Sequence, residues 1–224
     1  MTRIPLLSKI FGVGMTGAAA FFAYLLVLRP RMVRWGATPD DLRKIGSNGR
    51  LGSDPRSSMT LATTIKAPAC HVWPWLVQMG QGRGGFYSYD WLENVFGRDV
   101  HSAAQIMPEL QELNVGDTIR FTPDPYLNRI PGVTFSVTEM EGNRTLTLRE
   151  ETPGAILCWT FTLIALDERS TRLVFRSKTE YRPSFQGKVW HLFDLLLQEP
   201  ISFVMERKML GGIKQRAETV ASQT

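Results

Sequence analysis

The chain is poor in the residue types that build the commoner catalytic and metal sites. It has two cysteines and three histidines in 224 residues. Two cysteines make no disulfide framework. Cys70 and Cys158 each sit in an apolar stretch and are expected to be buried thiols, since free cysteine packs as a small hydrophobe. His71, His101 and His191 lack metal-ligand spacing, and no HExxH or Cys/His cluster occurs, so no metal centre is expected. No Ser/His/Asp nucleophile arrangement is present. Internal repeats and low-complexity tracts are also missing.

The charge is +5 and the pI about 9.4, yet the basic residues are unevenly placed. Arg29, Arg31, Arg34, Arg43 and Lys44 crowd behind an apolar segment, and Arg207, Lys208, Lys214 and Arg216 lie near the C-terminus. There is no aromatic–basic run and no zinc-finger spacing, so a membrane surface is the expected partner and nucleic acid is not.

That apolar segment, Ile10 to Leu28, holds 19 residues and no charge. As a helix it spans about 28 Å, close to the ~30 Å hydrocarbon core of a bilayer. The apolar run passes through Phe21-Phe22-Ala23-Tyr24 straight into Arg29 without a small-x-small site, which favours a retained single-pass anchor over a cleaved signal peptide. The heavier positive charge follows the span, so the C-terminal domain is expected on the cytoplasmic side of the cell membrane. Residues 1–9 form a tail, 10–28 the span and 29–57 a Gly/Ser/Pro-rich linker that wraps onto the domain.

From residue 58 to 219 the pattern is that of one α+β domain, followed by a short tail, 220–224. Thr60–Ile65 reads as a strand. Short helices are expected over 69–79 and 87–96, with a further turn near Pro108. Strands follow at 118–122, 133–140, 145–150, 156–166 and 171–181, joined by turns at Glu141-Gly142-Asn143 and 167–170, which predicts an antiparallel meander. A long helix closes the chain, roughly 185–219. Val189, Trp190, Phe193, Leu196 and Leu197 recur along it at helical spacing, and Pro200 is expected to kink or split it. A curved sheet gripping such a helix leaves room for a cavity between them.

Several separated motifs carry a resemblance. Trp73-Pro74-Trp75-Leu76-Val77-Gln78-Met79-Gly80, then Gly84-Gly85-Phe86-Tyr87-Ser88-Tyr89-Asp90-Trp91-Leu92-Glu93, Val115-Gly116-Asp117 and Phe203-Val204-Met205-Glu206-Arg207-Lys208 resemble a bacterial branch of the START/Bet v 1-like (SRPBCC) superfamily. The resemblance implies a helix-grip fold with a deep apolar pocket. It implies no universal catalytic set, because the superfamily includes lipid-transfer domains, allergens and polyketide cyclases.

Gly80-x-Gly82-x-x-Gly85 formally matches a dinucleotide fingerprint. The preceding Trp-Pro-Trp is a poor strand, so the reading is a flexible loop at a pocket rim, and no cofactor is expected. Trp73, Phe86, Tyr87, Tyr89, Trp91, Trp159, Trp190 and Phe193 are the candidate ligand contacts. The dense cluster Phe86–Trp91 reads equally as a core face. If catalysis occurs, His101, Tyr87, Tyr89 and Asp90 are the candidate acid–base groups. Three functions remain open: a membrane-anchored module binding a lipid-like or polycyclic molecule, a cyclase- or dehydratase-type enzyme, and a solid-cored assembly protein. Charged strand residues Arg149, Glu150, Glu151, Arg176, Lys178 and Glu180, and Glu206 and Arg207 in the helix, face either way.

Overall fold

The computed structural model describes residues 21–45, 58–127, 130–181 and 193–223. The uncharged run 10–20, the turn-rich residues 46–57 and the segment 182–192, with Trp190, lie outside them. Among the described residues no helix is long and apolar enough to cross a membrane. The tail of the expected span is described over 21–28, where it is helical, with a π-helical turn at Tyr24–Leu28 running into helix α1, Arg29–Met32.

Helix α2, Pro39–Ile45, precedes strand β1, Ser58–Ile65. Helices α3, Ala69–Val77, and α4, Asp90–Val95, come next, then a 3-10 turn at Pro108–Leu110. Strands β2, Thr118–Arg120, β3, Thr134–Glu141, β4, Thr145–Glu151, β5, Ala155–Asp167, and β6, Ser170–Tyr181, lead to helix α5, Glu199–Ala221. The strands form one antiparallel sheet, β1-β6-β5-β4-β3-β2. The meander and both turns lie where the strand pattern and turn residues predict them, although β1, β4 and β6 bury consecutive residues on both faces. In-register neighbours Leu61, Phe175, Phe161 and Leu146 run as one apolar row across the concave face.

Helix α5 lies against that face. Its second half buries Met209, Leu210, Ile213 and Ala217. At Gly212 the approach is so close that a Cβ would stand 2.2 Å from the Tyr87 carbonyl oxygen. The predicted apolar stripe does not stay buried through the first half: Leu196, Leu197, Ile201 and Val204 are exposed. Pro200 does not interrupt the run of helical residues, but the helix changes type just before it. The proline sits in the first turn of α5, directly after a π-helical turn at Asp194–Gln198, and helical residues run without interruption from 193 to 221. A wider turn ahead of the ring relieves its clash with the preceding carbonyls.

Residues 33–45 are docked on the sheet. The Thr60 and Ala62 N–H groups donate to the Val33 and Trp35 carbonyls at 2.7 and 3.0 Å, along the outer edge of β1. Arg172 on β6 then clamps the segment. It donates to the Gly36 carbonyl, to Asp41 at 2.8 Å and to the Thr64 hydroxyl at 3.2 Å. Burial pushes the Asp41 carboxyl up, but the bonds from Arg172 and Thr38 outweigh it and hold the group below its ordinary range.

The glycine loop forms a closed turn. Gly80 and Gly85 exchange both N–H···O bonds at 3.0 Å. Arg83 turns back to donate to the carbonyls of Val77, Met79 and Leu110, which caps α3. Of the two cysteines Cys158 is buried, but Cys70 is exposed. It lies on the solvent side of α3, whose inward face is Val72, Trp75, Leu76 and Val77.

Adjacent glycines in α5 give opposite expectations. Gly211 faces open space, so Gly211→Ala is expected to stabilise by about 0.5–1 kcal/mol, as alanine does in helix interiors. Gly212→Ala drives a methyl into backbone and is expected to destabilise by about 3 kcal/mol. Urea denaturation of the two variants, with unchanged m-values, checks both.

Candidate functional site

The C-terminal helix touches the curved sheet over part of its length only. Here contact is tight from Met209 onward, and the first half of α5 stands away from the concave face. The gap is a cavity of about 240 Å³. A cavity of about 150 Å³ holds benzene, so this one suits an acyl-chain segment or a compound of one or two rings.

Its apolar wall combines Met59 from β1, Leu157 and Trp159 from β5, Phe86 and Phe121 from the loops, and Met205 and Met209 from α5. Trp159 organises the wall. Its ring meets Phe121, Phe135 and Phe175 at 5.3–5.4 Å between centroids, with Phe121 and Phe175 edge-on. Such packing fixes ring orientations and keeps the cavity from collapsing. The half-exposed Phe193, Leu197 and Ile201 form the outer end.

Polar groups interrupt the wall on several elements: Ser58 on β1, Ser177 and Thr179 on β6, Glu93 and Arg98 at α4, and Ser202 and Glu206 on α5. Glu93, on the inner face of α4, is only 4% exposed. Arg98 Nη1 reaches its Oε2 at 3.2 Å, and the same guanidinium lies 4.4 Å above the Phe121 ring. Burial raises the Glu93 pKa, the neighbouring Asp90 adds to that, and Arg98 only partly offsets it. Glu206 of α5 is equally buried and also lines the cavity. Ser88 donates to the Met205 carbonyl at 3.0 Å, which ties the α4 entry loop to the helix. Buried, hydrogen-bonded Glu93 can orient the polar end of an otherwise apolar molecule, or deliver a proton to it.

The sequence candidates are divided by the structure. Phe86, Trp159 and Phe193 line the cavity. Trp73 packs at the edge of the core, Tyr89 stacks under the Lys208 ammonium at 5.6 Å, and Trp91 is largely exposed; none of the three lines the cavity. Trp190 is outside the described residues. His101 is exposed and pairs with the exposed Asp99 at 3.3 Å, on the surface and not in the cavity. Tyr87 is buried, but its hydroxyl donates to the Trp75 carbonyl at 3.0 Å and its ring lies under Arg216. Burial pushes that hydroxyl well above its ordinary range. Asp90 accepts both the N–H and the hydroxyl of Ser102 at 2.6 Å, and the Tyr87 N–H donates to the same hydroxyl. These groups hold the loop together. Arg149, Arg176 and Lys178 surround the Cys158 thiol on the convex face, and burial raises that thiol's pKa. Glu150 pairs with Leu157 and so faces the concave side, where burial pushes its carboxyl up. Arg207 points away from the cavity, over the Trp35 ring. Glu93 and Arg98 were not among the candidates. Their trace in the sequence is an acidic residue closing an aromatic stretch, with an arginine five positions on.

No family model matches the sequence, and no curated protein matches it. Among solved structures, an aromatase/cyclase from Streptomyces is 15% identical, with a TM-score of 0.40 over 71% of this chain and 94% of that one. A START superfamily protein from Mycobacterium smegmatis is 10% identical at a TM-score of 0.37, over 75% and 98%. A protein from Nitrosomonas europaea is 10% identical at 0.43, over 75% and 99%. The chain has a helix-grip fold. That description rests on the sheet order and on the helix lying across its concave face, because likeness at this level carries no information about activity.

Glu93 sets a pH dependence. Its folded pKa lies above the unfolded one, so the folded state binds the proton more tightly and stability falls as pH rises through the interval between them. Melting curves from about pH 4 to about pH 8 are expected to show this loss in the wild type. In Glu93→Gln that part of the slope is expected to vanish.

Proposed function

We propose that this chain binds a hydrophobic small molecule in the cavity between the sheet and α5, and that residues 10–28 hold it at a membrane. The observation that carries the binding reading is the cavity itself. Its apolar part is braced by interlocked aromatic rings around Trp159. A solid-cored assembly protein has no use for such a gap. The grouped polar side chains at Glu93 and Arg98 fit a ligand with one polar end, such as a fatty acyl compound or a small polycyclic phenol. The uncharged run and the arginines behind it support the anchor, with the domain on the cytoplasmic side.

One observation favours a second reading. A carboxyl whose pKa is raised by burial, at the wall of a largely apolar chamber, is the kind of group an acid-catalysed cyclase or dehydratase uses. The acid in that reading is Glu93, since His101, Tyr87 and Asp90 all lie off the cavity wall.

Native mass spectrometry of the full chain released from detergent, followed by solvent extraction, is expected to show a co-purifying apolar compound. Ser177 lies on the concave face opposite Trp159 and Met59. Ser177→Phe is therefore expected to fill the cavity and lower uptake of a fluorescent fatty acid at least about tenfold, a loss of ~1.4 kcal/mol, with the fold retained. An empty protein that takes up nothing from a panel of lipids and polyketides would return the weight to an assembly role.

A further inference from the structure

The described end of the N-terminal apolar run and the start of the C-terminal helix are joined side by side at two levels. The Tyr24 hydroxyl donates to the Leu195 carbonyl at 2.8 Å. Arg29 grips Glu199 through two parallel bonds of 2.8 and 2.9 Å. Both steps advance in the same direction along each helix, and Arg207 over Trp35 at 4.8 Å continues the sense. The two helices therefore run parallel, and a layer that receives residues 24–28 also receives residues 195–198.

Both present apolar side chains outward there. Phe22, Leu26 and Leu28 are exposed on one, Leu196 and Leu197 on the other, and Leu26 reaches 73%. The polar groups between them are turned on each other. In the i→i+5 register of the Asp194–Gln198 turn, the nitrogen facing the Leu195 carbonyl is that of Pro200, which carries no hydrogen. Tyr24 supplies one in its place. Pairing of this kind is what a hydrocarbon surrounding demands of backbone groups. On the domain side lie Arg31 and Arg34, placed to meet anionic headgroups.

We infer that the start of the C-terminal helix, around Leu196 and Leu197, is a second membrane-inserted element seated beside the N-terminal anchor in an anionic bilayer. Leu197 also lines the cavity, so the outer end of the binding site opens at the level where the acyl chains begin. This inference rests on the anchor included in the proposed function.

The test uses the full chain in vesicles of phosphatidylcholine and phosphatidylglycerol. An environment-sensitive fluorophore is attached through Leu26→Cys, Leu196→Cys or Glu168→Cys, each in a Cys70→Ser background. The Cys158 thiol is buried and stays unlabelled. Glu168 sits in the exposed β5–β6 turn, at the far end of the sheet from the cavity. The labels at 26 and 196 are both expected to be quenched by brominated acyl chains about threefold more than the label at 168. A label at 26 in lipid with one at 196 open to iodide overturns the inference and leaves the anchor standing. Labels at both positions open to iodide overturn the two together. A label at 196 shielded from both quenchers, with cross-links between copies, assigns the surface to a second copy of the chain and also overturns the inference.

Discussion

The structure depends on one close contact, that of α5 against the backbone of Tyr87 at Gly212. It fixes where the helix touches the rest of the protein, and hence where it cannot. From that point the sheet and the helix part, and the space between them opens toward the helix start. Tyr87 is built for this position. Its backbone adopts a left-handed conformation, at a φ of 58°, that most side chains avoid. Its hydroxyl, its N–H and its ring are each held by a different element: Trp75, Ser102 and Arg216. A residue secured on every side makes a good abutment for a helix, and a poor acid or base.

Much of this was legible in the sequence. The β-branched and aromatic runs and the turn residues between them are written openly, so the meander and its turns could be placed from Thr118 to Tyr181. The apolar wall was partly visible through Phe86, Trp159 and Phe193. The polar groups of the cavity were not, because a buried glutamate and an exposed one look alike until the fold decides which face of a six-residue helix turns inward. The same applies to Glu150 and Glu206, whose orientation comes from register and helix phase. The aromatic cluster drew attention to Tyr87, Tyr89 and Trp91 for its density alone. Density reports packing as readily as recognition, and these three side chains found three different environments. Cys70 followed the same rule: an apolar context in sequence does not say which side of a helix a residue occupies.

Binding and catalysis pull the polar groups of the cavity in different directions. A binding site needs Glu93 and Arg98 as a fixed pair that orients one end of a ligand. A catalytic site needs a carboxyl that can give up a proton, and Arg98 beside Glu93 favours its ionised form. The pair serves either purpose, and the cation held over Phe121 keeps the geometry constant in both.

The docking of residues 33–37 along β1 has a further consequence. An open sheet ordinarily ends in two rows of unpaired amides, each a template on which another chain can add a strand. Here the outer N–H groups of Thr60 and Ala62 are already bonded to Val33 and Trp35. At the opposite border β2 is only three residues long. Growth by strand addition is thus blocked at one border and short-lived at the other. Copies of the chain at high local concentration can therefore meet without zipping together through this border of their sheets.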